Sequence, residues 1–273
     1  MSATDAGPTP TASAITTAAC ARPAAEQRVA EVRIGLGYTA VRLASGQIGL
    51  AYTFRDTSRD CCTALGGMDR LSDHPAARLV RLIESADPIE AAVGLACANA
   101  ILNEPGDRFC RGDALEFMEL RPEDRVAMVG YFQPIVDAVR RQVRSLLIFE
   151  LRPERQKGLR PAREAVERLP ACDAAIITAS AIVNHSIDAL LRAARGCREV
   201  AIVGASAPMA PEAFAESAVT LLSGVVIERP DEVLRVVSEG GGRRQLKRFV
   251  GKVCLSVGRK KRSGPVEQSI KTD

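Results

Sequence analysis

The chain has no tryptophan, and aromatic residues make up only 4% of its 273 positions. Binding of single-stranded nucleic acid depends on aromatic platforms for the bases, and here few rings exist to build them. The formal charge is only +4, from 37 basic and 33 acidic residues, and part of the excess lies in Arg259, Lys260, Lys261 and Arg262. Together these argue against a nucleic-acid partner. No apolar run approaches the roughly 20 uninterrupted residues of a bilayer span, so no membrane span is expected. The N-terminus lacks the basic charge of a secretory signal and carries Asp5 instead, so residues 1–27 are expected to be a disordered leader. Neither a C-x-x-C nor an H-x-x-x-H pairing occurs. The eight cysteines (Cys20, Cys61, Cys62, Cys97, Cys110, Cys172, Cys197 and Cys254) lack the regular spacing of a small secreted scaffold. Reduced, mostly buried thiols in a cytoplasmic protein are expected.

What is present is a core-forming composition: 47% of residues are hydrophobic, enough for one large core or two smaller ones. Two domains are expected. Residues 28–54 hold two β-rich runs joined at Ala44-Ser45-Gly46, which reads as a hairpin. The polar stretch 55–74 reads as a loop, Pro75 and Pro88 each begin a helix, and the first domain, 28–106, reads ββαα. After the turn-rich segment 103–106 the rhythm changes. Apolar runs at 125–130, 145–150, 172–178, 198–204 and 219–224 alternate with amphipathic segments, which predicts a mainly parallel, Rossmann-like sheet covered by helices over 107–257. A helix ending in Gly240-Gly241-Gly242 closes it, and 258–273 is expected to be a basic disordered tail.

In open α/β sheets, ligands sit beyond the carboxyl ends of the strands. That rule selects Gly130, Phe132 and Pro134 after the first strand, Glu150 and Arg152 after the second, Thr178, Ser180, Asn184 and His185 after the third, and Gly204 and Ser206 after the fourth. Gly130 followed some 20 residues later by Glu150 outlines a dinucleotide site, but the remaining glycines are absent and Phe132 and Pro134 would crowd a pyrophosphate; an ordinary turn and a cap fit the same residues. Thr178, Ser180, Asn184, His185 and Ser206 concentrate groups able to hold an anion or a polar ligand, although Asn184 or Ser186 would equally serve as a helix cap. Ser206 as a nucleophile with His185 as its base is disfavoured, because Gly204-Ala205-Ser206-Ala207-Pro208 lacks the second glycine of G-x-S-x-G. Adjacent Cys61 and Cys62 in a polar loop can both reach a soft metal, with His74, Cys110 or Asp60 as further ligands, or be ordinary loop thiols.

Eight segments in one order (IGLGYTAV, GQIGLAYTF, AAVGLACANAIL, VGYFQPIV, FELRP, CDAAIITASAIVNHSIDALL, VGASAPMAPEAF and SEGGG) resemble the family named "Putative heavy-metal chelation" over roughly residues 29–255. The resemblance implies an enolase-N-terminal-like α+β domain followed by a Rossmann-like domain, with a metal or ligand site in the cleft between them. It brings forward Gly130, Phe132, Pro134, Glu150, Arg152, Thr178, Asn184, Gly204 and Ser206. The chain departs from the family pattern at Ala179 and His185, where glycines are expected, and at Ala205, where proline is expected. Three functions follow as expectations. The first is binding of a transition or heavy metal, or its chelate, with Cys61, Cys62 and His185 as candidate ligands. The second is an enzyme acting on a polar or anionic, nucleotide-like molecule, with Glu150 or His185 as acid or base. The third is a partner-binding module; a homo-oligomer is compatible with all three.

Overall fold

The computed structural model describes residues 9–54, 65–66 and 68–258. It opens with a helix where a leader is expected: α1 (Pro10–Cys20) starts behind the Thr9 cap and buries Ala12, Ile15 and Ala19. The burial of a 3.6-residue stripe explains the difference, because small Ala and Thr side chains give little signal in sequence yet pack closely once a partner is present. That partner includes the later half of the chain: Thr11 donates to Asp188 Oδ1 at 2.7 Å, and Arg22 pairs with Glu212 at 2.6 Å.

The strands β1 (Val29–Ile34), β2 (Tyr38–Leu43) and β3 (Ile48–Tyr52) form an antiparallel sheet. The turn at Ala44–Gly46 forms as expected, but a second turn at 35–37 splits the first apolar run, so the single hairpin becomes a three-stranded meander. Against this sheet pack α2 (Ala76–Val80) and α3 (Pro88–Leu102), the latter capped by Asp87, whose carboxylate accepts from the Ile89 and Glu90 amides. Nearly every residue of α3 from Ala91 to Leu102 is buried, as fits a helix that is apolar on all sides.

The rest of the chain adds β4 (Cys110–Arg111), α4 (Ala114–Phe117), β5 (Arg125–Val129), α5 (Gln133–Gln142), β6 (Ser145–Glu150), β7 (Arg160–Pro161) and α6 (Ala165–Arg168). There follow β8 (Ala174–Thr178), α7 (Ser180–Val183), α8 (Ile187–Ala193), β9 (Glu199–Val203), β10 (Leu221–Ile227), α9 (Pro230–Ser238), α10 (Arg243–Leu246) and β11 (Val250–Ser256). They build an eight-stranded sheet in the order β4-β11-β10-β9-β8-β5-β6-β7, with β10 through β7 parallel. The expected parallel Rossmann-like sheet is present, flanked by helices. Its far edge is not expected from the sequence: β11 runs antiparallel to β10 over seven paired residues, and β4 adds to it. The basic residue Lys252 in the middle of β11 disguises the strand in sequence, but its side chain is exposed and pairs with Asp113 while Val253 and Cys254 are buried.

One hydrophobic cluster runs from Ile15 through Leu95 and Leu102 to Ile177 and Ile202, so the two sheets share a continuous core. Among the described residues six cysteines are free, and Cys97, Cys172, Cys197 and Cys254 are buried. Burial pushes the Cys197 thiol up to about 12 and the Cys254 thiol up to about 11, and raises Cys97 and Cys172 as well. A thiol held protonated reacts slowly. We therefore expect these four to stay unlabelled by iodoacetamide in the native protein and to label fully in urea, as mapped by peptide mass spectrometry. Native labelling of all four would show that the core is wrongly assigned.

Candidate ligand-binding cleft

The chain passes from β5 to β6 on one side of the sheet and then returns to place β8 on the other side of β5. This reversal opens a crevice at the carboxyl ends of β5 and β8. Gly130 and Thr178 flank it. Gly130 has φ +93°, and a Cβ there would come within 2.9 Å of Thr178 Cβ, so only glycine lets the chain turn off β5 this close to its neighbour. The turn is held by Glu150, whose two carboxylate oxygens accept from the Tyr131 amide at 2.9 Å and the Leu151 amide at 2.7 Å. Glu150 thus serves as an anchor for two loops.

The three-stranded sheet closes the other side of the crevice. Ser206, buried beyond β9, accepts at Oγ from the Tyr52 amide of β3 at 2.8 Å. Behind it, Asn99 Nδ2 donates to Leu50 O at 2.8 Å and to Ser206 O at 3.1 Å. Asn103, one turn on, donates to Ala207 O and accepts from the Met209 amide, each at 2.9 Å. Two amides on one face of α3 therefore fix the segment 206–209 against β3. Sequence reasoning missed both; the available signal was a pair of asparagines four residues apart in an otherwise apolar helix.

The result is a cleft of about 510 Å³, within the range of small-molecule sites. Gly130, Phe132, Pro134, Glu150, Thr178, Ser180, Asn184, Gly204 and Ser206 all line it. The Thr178 and Ser180 hydroxyls are 2.9 Å apart, and Asn184 Oδ1 accepts from the Ser186 hydroxyl at 2.7 Å. Arg152 and His185 are not among the lining side chains. His185 turns instead toward the loop before α3, its Nε2–H donating to Ser85 O at 2.7 Å. Its φ of 56° is the left-handed region, a conformation that suits the glycine expected at this position. Cys61 and Cys62 lie outside the described residues.

The aromatic content of the lining is its most distinctive feature. All three tyrosines of the chain and three of its seven phenylalanines line this one cleft. Tyr52 meets Tyr38 edge-on at 6.0 Å and Phe54 edge-on at 4.9 Å. Tyr52 is 40% exposed and Leu151 59%, so apolar surface is presented at the opening. Burial raises the Tyr38 phenol above its ordinary value, against the opposing charge of Arg243 and reinforced by Tyr52.

A bare soft metal ion wants thiolate or imidazole donors. Among the described residues no cysteine or histidine lines the cleft, and no group of three or more His, Cys, Asp and Glu side chains is placed to hold a metal ion. The donor set of the described lining therefore does not fit a bare heavy-metal ion.

One model of the family described as "Putative heavy-metal chelation" matches residues 113–256, and a second model with the same description matches residues 18–102. The chain belongs to this family. A curated family-level relative, described as an uncharacterized protein of Methanocaldococcus jannaschii, is 25% identical over 159 residues, which cover 57% of this chain and 61% of that protein. The chain thus spans less than two thirds of that relative's length. Crystal structures of proteins of unknown function from Pyrococcus horikoshii and Desulfitobacterium hafniense superpose with TM-scores of 0.80 and 0.77. They are 21% and 23% identical, and each comparison covers 90% of this chain and 100% or 98% of the other. At that identity they support the fold. Among the described residues no helix is long and apolar enough to cross a membrane.

Proposed function

We propose that the protein binds a small organic molecule with a flat apolar face in this cleft, and that the metal of the family description reaches it as a chelate whose own donor atoms surround the ion. The observation that carries this reading is the gathering of all three tyrosines and three phenylalanines, in an aromatic-poor chain, around one crevice at a topological switch point. Offset or edge-on ring contacts suit a planar ligand, while Thr178, Ser180 and Asn184 supply a small set of polar groups to orient it. Among the described residues no thiol or imidazole lines the cleft, which favours a chelate over a naked ion.

Native mass spectrometry of untagged protein, paired with plasma mass spectrometry for metals, tests this. The expected result is a retained organic molecule, with or without metal. It is lost from Tyr52→Ala and kept by the Cys61→Ser/Cys62→Ser double variant. A stoichiometric metal with no organic companion, lost from the double cysteine variant, would overturn the reading and move the site to that loop.

A further inference from the structure

The charges around the cleft, given the ligand-binding reading above, say more about what it takes. Among the described residues two carboxylates line it, and both are engaged. Asp113 is paired with Lys252 Nζ at 2.5 Å, and Glu150 holds the Tyr131 and Leu151 amides. Among the described residues three cations line it, of which Lys252 is the partner of Asp113. The other two, Arg243 and Lys247, make no ion pair or side-chain hydrogen bond among the described residues. An exposed cation is often only a solvated side chain, but the backbone that carries these two is held in position. After α9 the chain reverses through Gly240, whose φ is +73°, with the Gly240 amide donating to Val237 O and the Gly241 amide to Val236 O. Arg243 then starts α10, and Lys247 follows four residues later on the same face. Leu246 between them is 3% exposed and anchors the turn in the core shared by the small sheet and α9. The two cations therefore line the cleft from a fixed turn, with Arg243 near enough to Tyr38 for its charge to act on the phenol.

We propose that Arg243 and Lys247 are the specificity-determining residues of this cleft, and that its ligand carries an anionic group, phosphate or carboxylate, at the end lying against α10. The flat body lies over Tyr52, and the charged end is drawn to the two unneutralised cations. Wrong partners are rejected by the same charges: a neutral molecule of equal shape gains nothing there, and a cationic one is repelled.

Two dyes share one aromatic body and differ by a single sulfonate: 8-anilino-1-naphthalenesulfonate and the uncharged N-phenyl-1-naphthylamine. Fluorescence titration of the full chain at low salt is expected to give the anionic dye at least about tenfold tighter binding, with the ratio shrinking at high salt because exposed charges are screened. In Arg243→Gln/Lys247→Gln the ratio falls to about one. A ratio unchanged by the double substitution overturns the charge assignment while leaving the cleft reading intact. Failure of the anionic dye to bind the wild type, or binding of both undiminished in Tyr52→Ala, overturns the cleft reading itself and this proposal with it. Displacement of the bound anionic dye by 1-naphthyl phosphate at lower concentration than by 1-naphthoate assigns phosphate; the reverse order assigns carboxylate.

Discussion

Replacing Arg198 with alanine is expected to destabilise the protein by roughly 1–3 kcal/mol, the usual cost of leaving a buried hydrogen-bonding group without its partner. Asp124, whose side chain is 2% exposed, accepts from Arg198 Nη2 at 2.8 Å and Nη1 at 3.2 Å, and from the Arg121 amide at 2.8 Å. Arg198 also donates to Glu119 O at 2.9 Å. These residues stand at the amino ends of β5 and β9, at the opposite end of the sheet from the cleft, so the loss falls on stability and leaves the site's chemistry alone. The pair also sets a pH dependence. Burial by itself would raise the Asp124 carboxyl, but the hydrogen bonds from Arg198 and the Arg121 backbone, and the charges of both arginines, outweigh it and hold the group below the ordinary carboxylate value. A carboxyl depressed in the folded state contributes in full above its unfolded value, about 3.9, and that contribution is lost as pH falls through the folded value. Urea unfolding at pH 7 and at a series of pH values below about 4 is the measurement. Wild-type stability should fall steeply in acid, and the Arg198→Ala curve should be lower at pH 7 and flatter below pH 4. Parallel curves would refute the assignment of acid lability to this pair.

Asn99→Ala is expected to cost about 2–3 kcal/mol and to weaken binding of the anionic dye at least about tenfold. The side chain is 1% exposed, and its amide serves Leu50 O and Ser206 O together. Removing it leaves two buried carbonyls without their donor, at roughly 1–3 kcal/mol for such a group. Part of that loss is recoverable, because the Tyr52 amide still donates to Ser206 Oγ. Binding should suffer more than stability predicts, since Ser206 and Tyr52 both line the cleft and Asn99 ties the segment carrying Ser206 to the strand carrying Tyr52. Asn103→Ala provides the comparison: its partners Ala207 and Met209 lie further along the same segment, so it should lower stability similarly with a smaller effect on the dye. Equal binding losses in both variants would show that Asn99 acts only through global stability.

Much of the fold was legible along the chain. Pro88 after Asp87, followed by an unbroken apolar run to Leu102, specifies a capped and fully buried helix. The apolar runs at 125–129, 145–150, 174–178 and 199–203 specify parallel strands, because strands buried on both faces need no alternation. The strand-end rule then leads to Gly130, Glu150, Thr178, Asn184 and Ser206, which the fold brings to one crevice. Local sequence also determined the three glycines after α9, since a helix that must reverse needs a residue at positive φ.

Tertiary structure alone decided the remainder. The α1 stripe of Ala12, Ile15 and Ala19 is too weakly hydrophobic to announce a helix, and becomes one through burial and the Thr11–Asp188 contact 177 residues away. Strand β11 carries Lys252 and follows a glycine-ended helix with no strand expected there, until pairing with β10 fixes its register. His185 sits among the strand-end residues by sequence, but its left-handed backbone aims the ring at Ser85. The cleft's aromatic character was equally invisible: Tyr38, Tyr52, Tyr131 and Phe132 lie in segments separated by up to 94 positions, and no local pattern connects them. Periodicity reports which face of an element avoids water, and so the sequence determined the elements and their layers. Which rings, amides and charges meet across those layers depends on long-range packing, and so the folded chain alone determined the site.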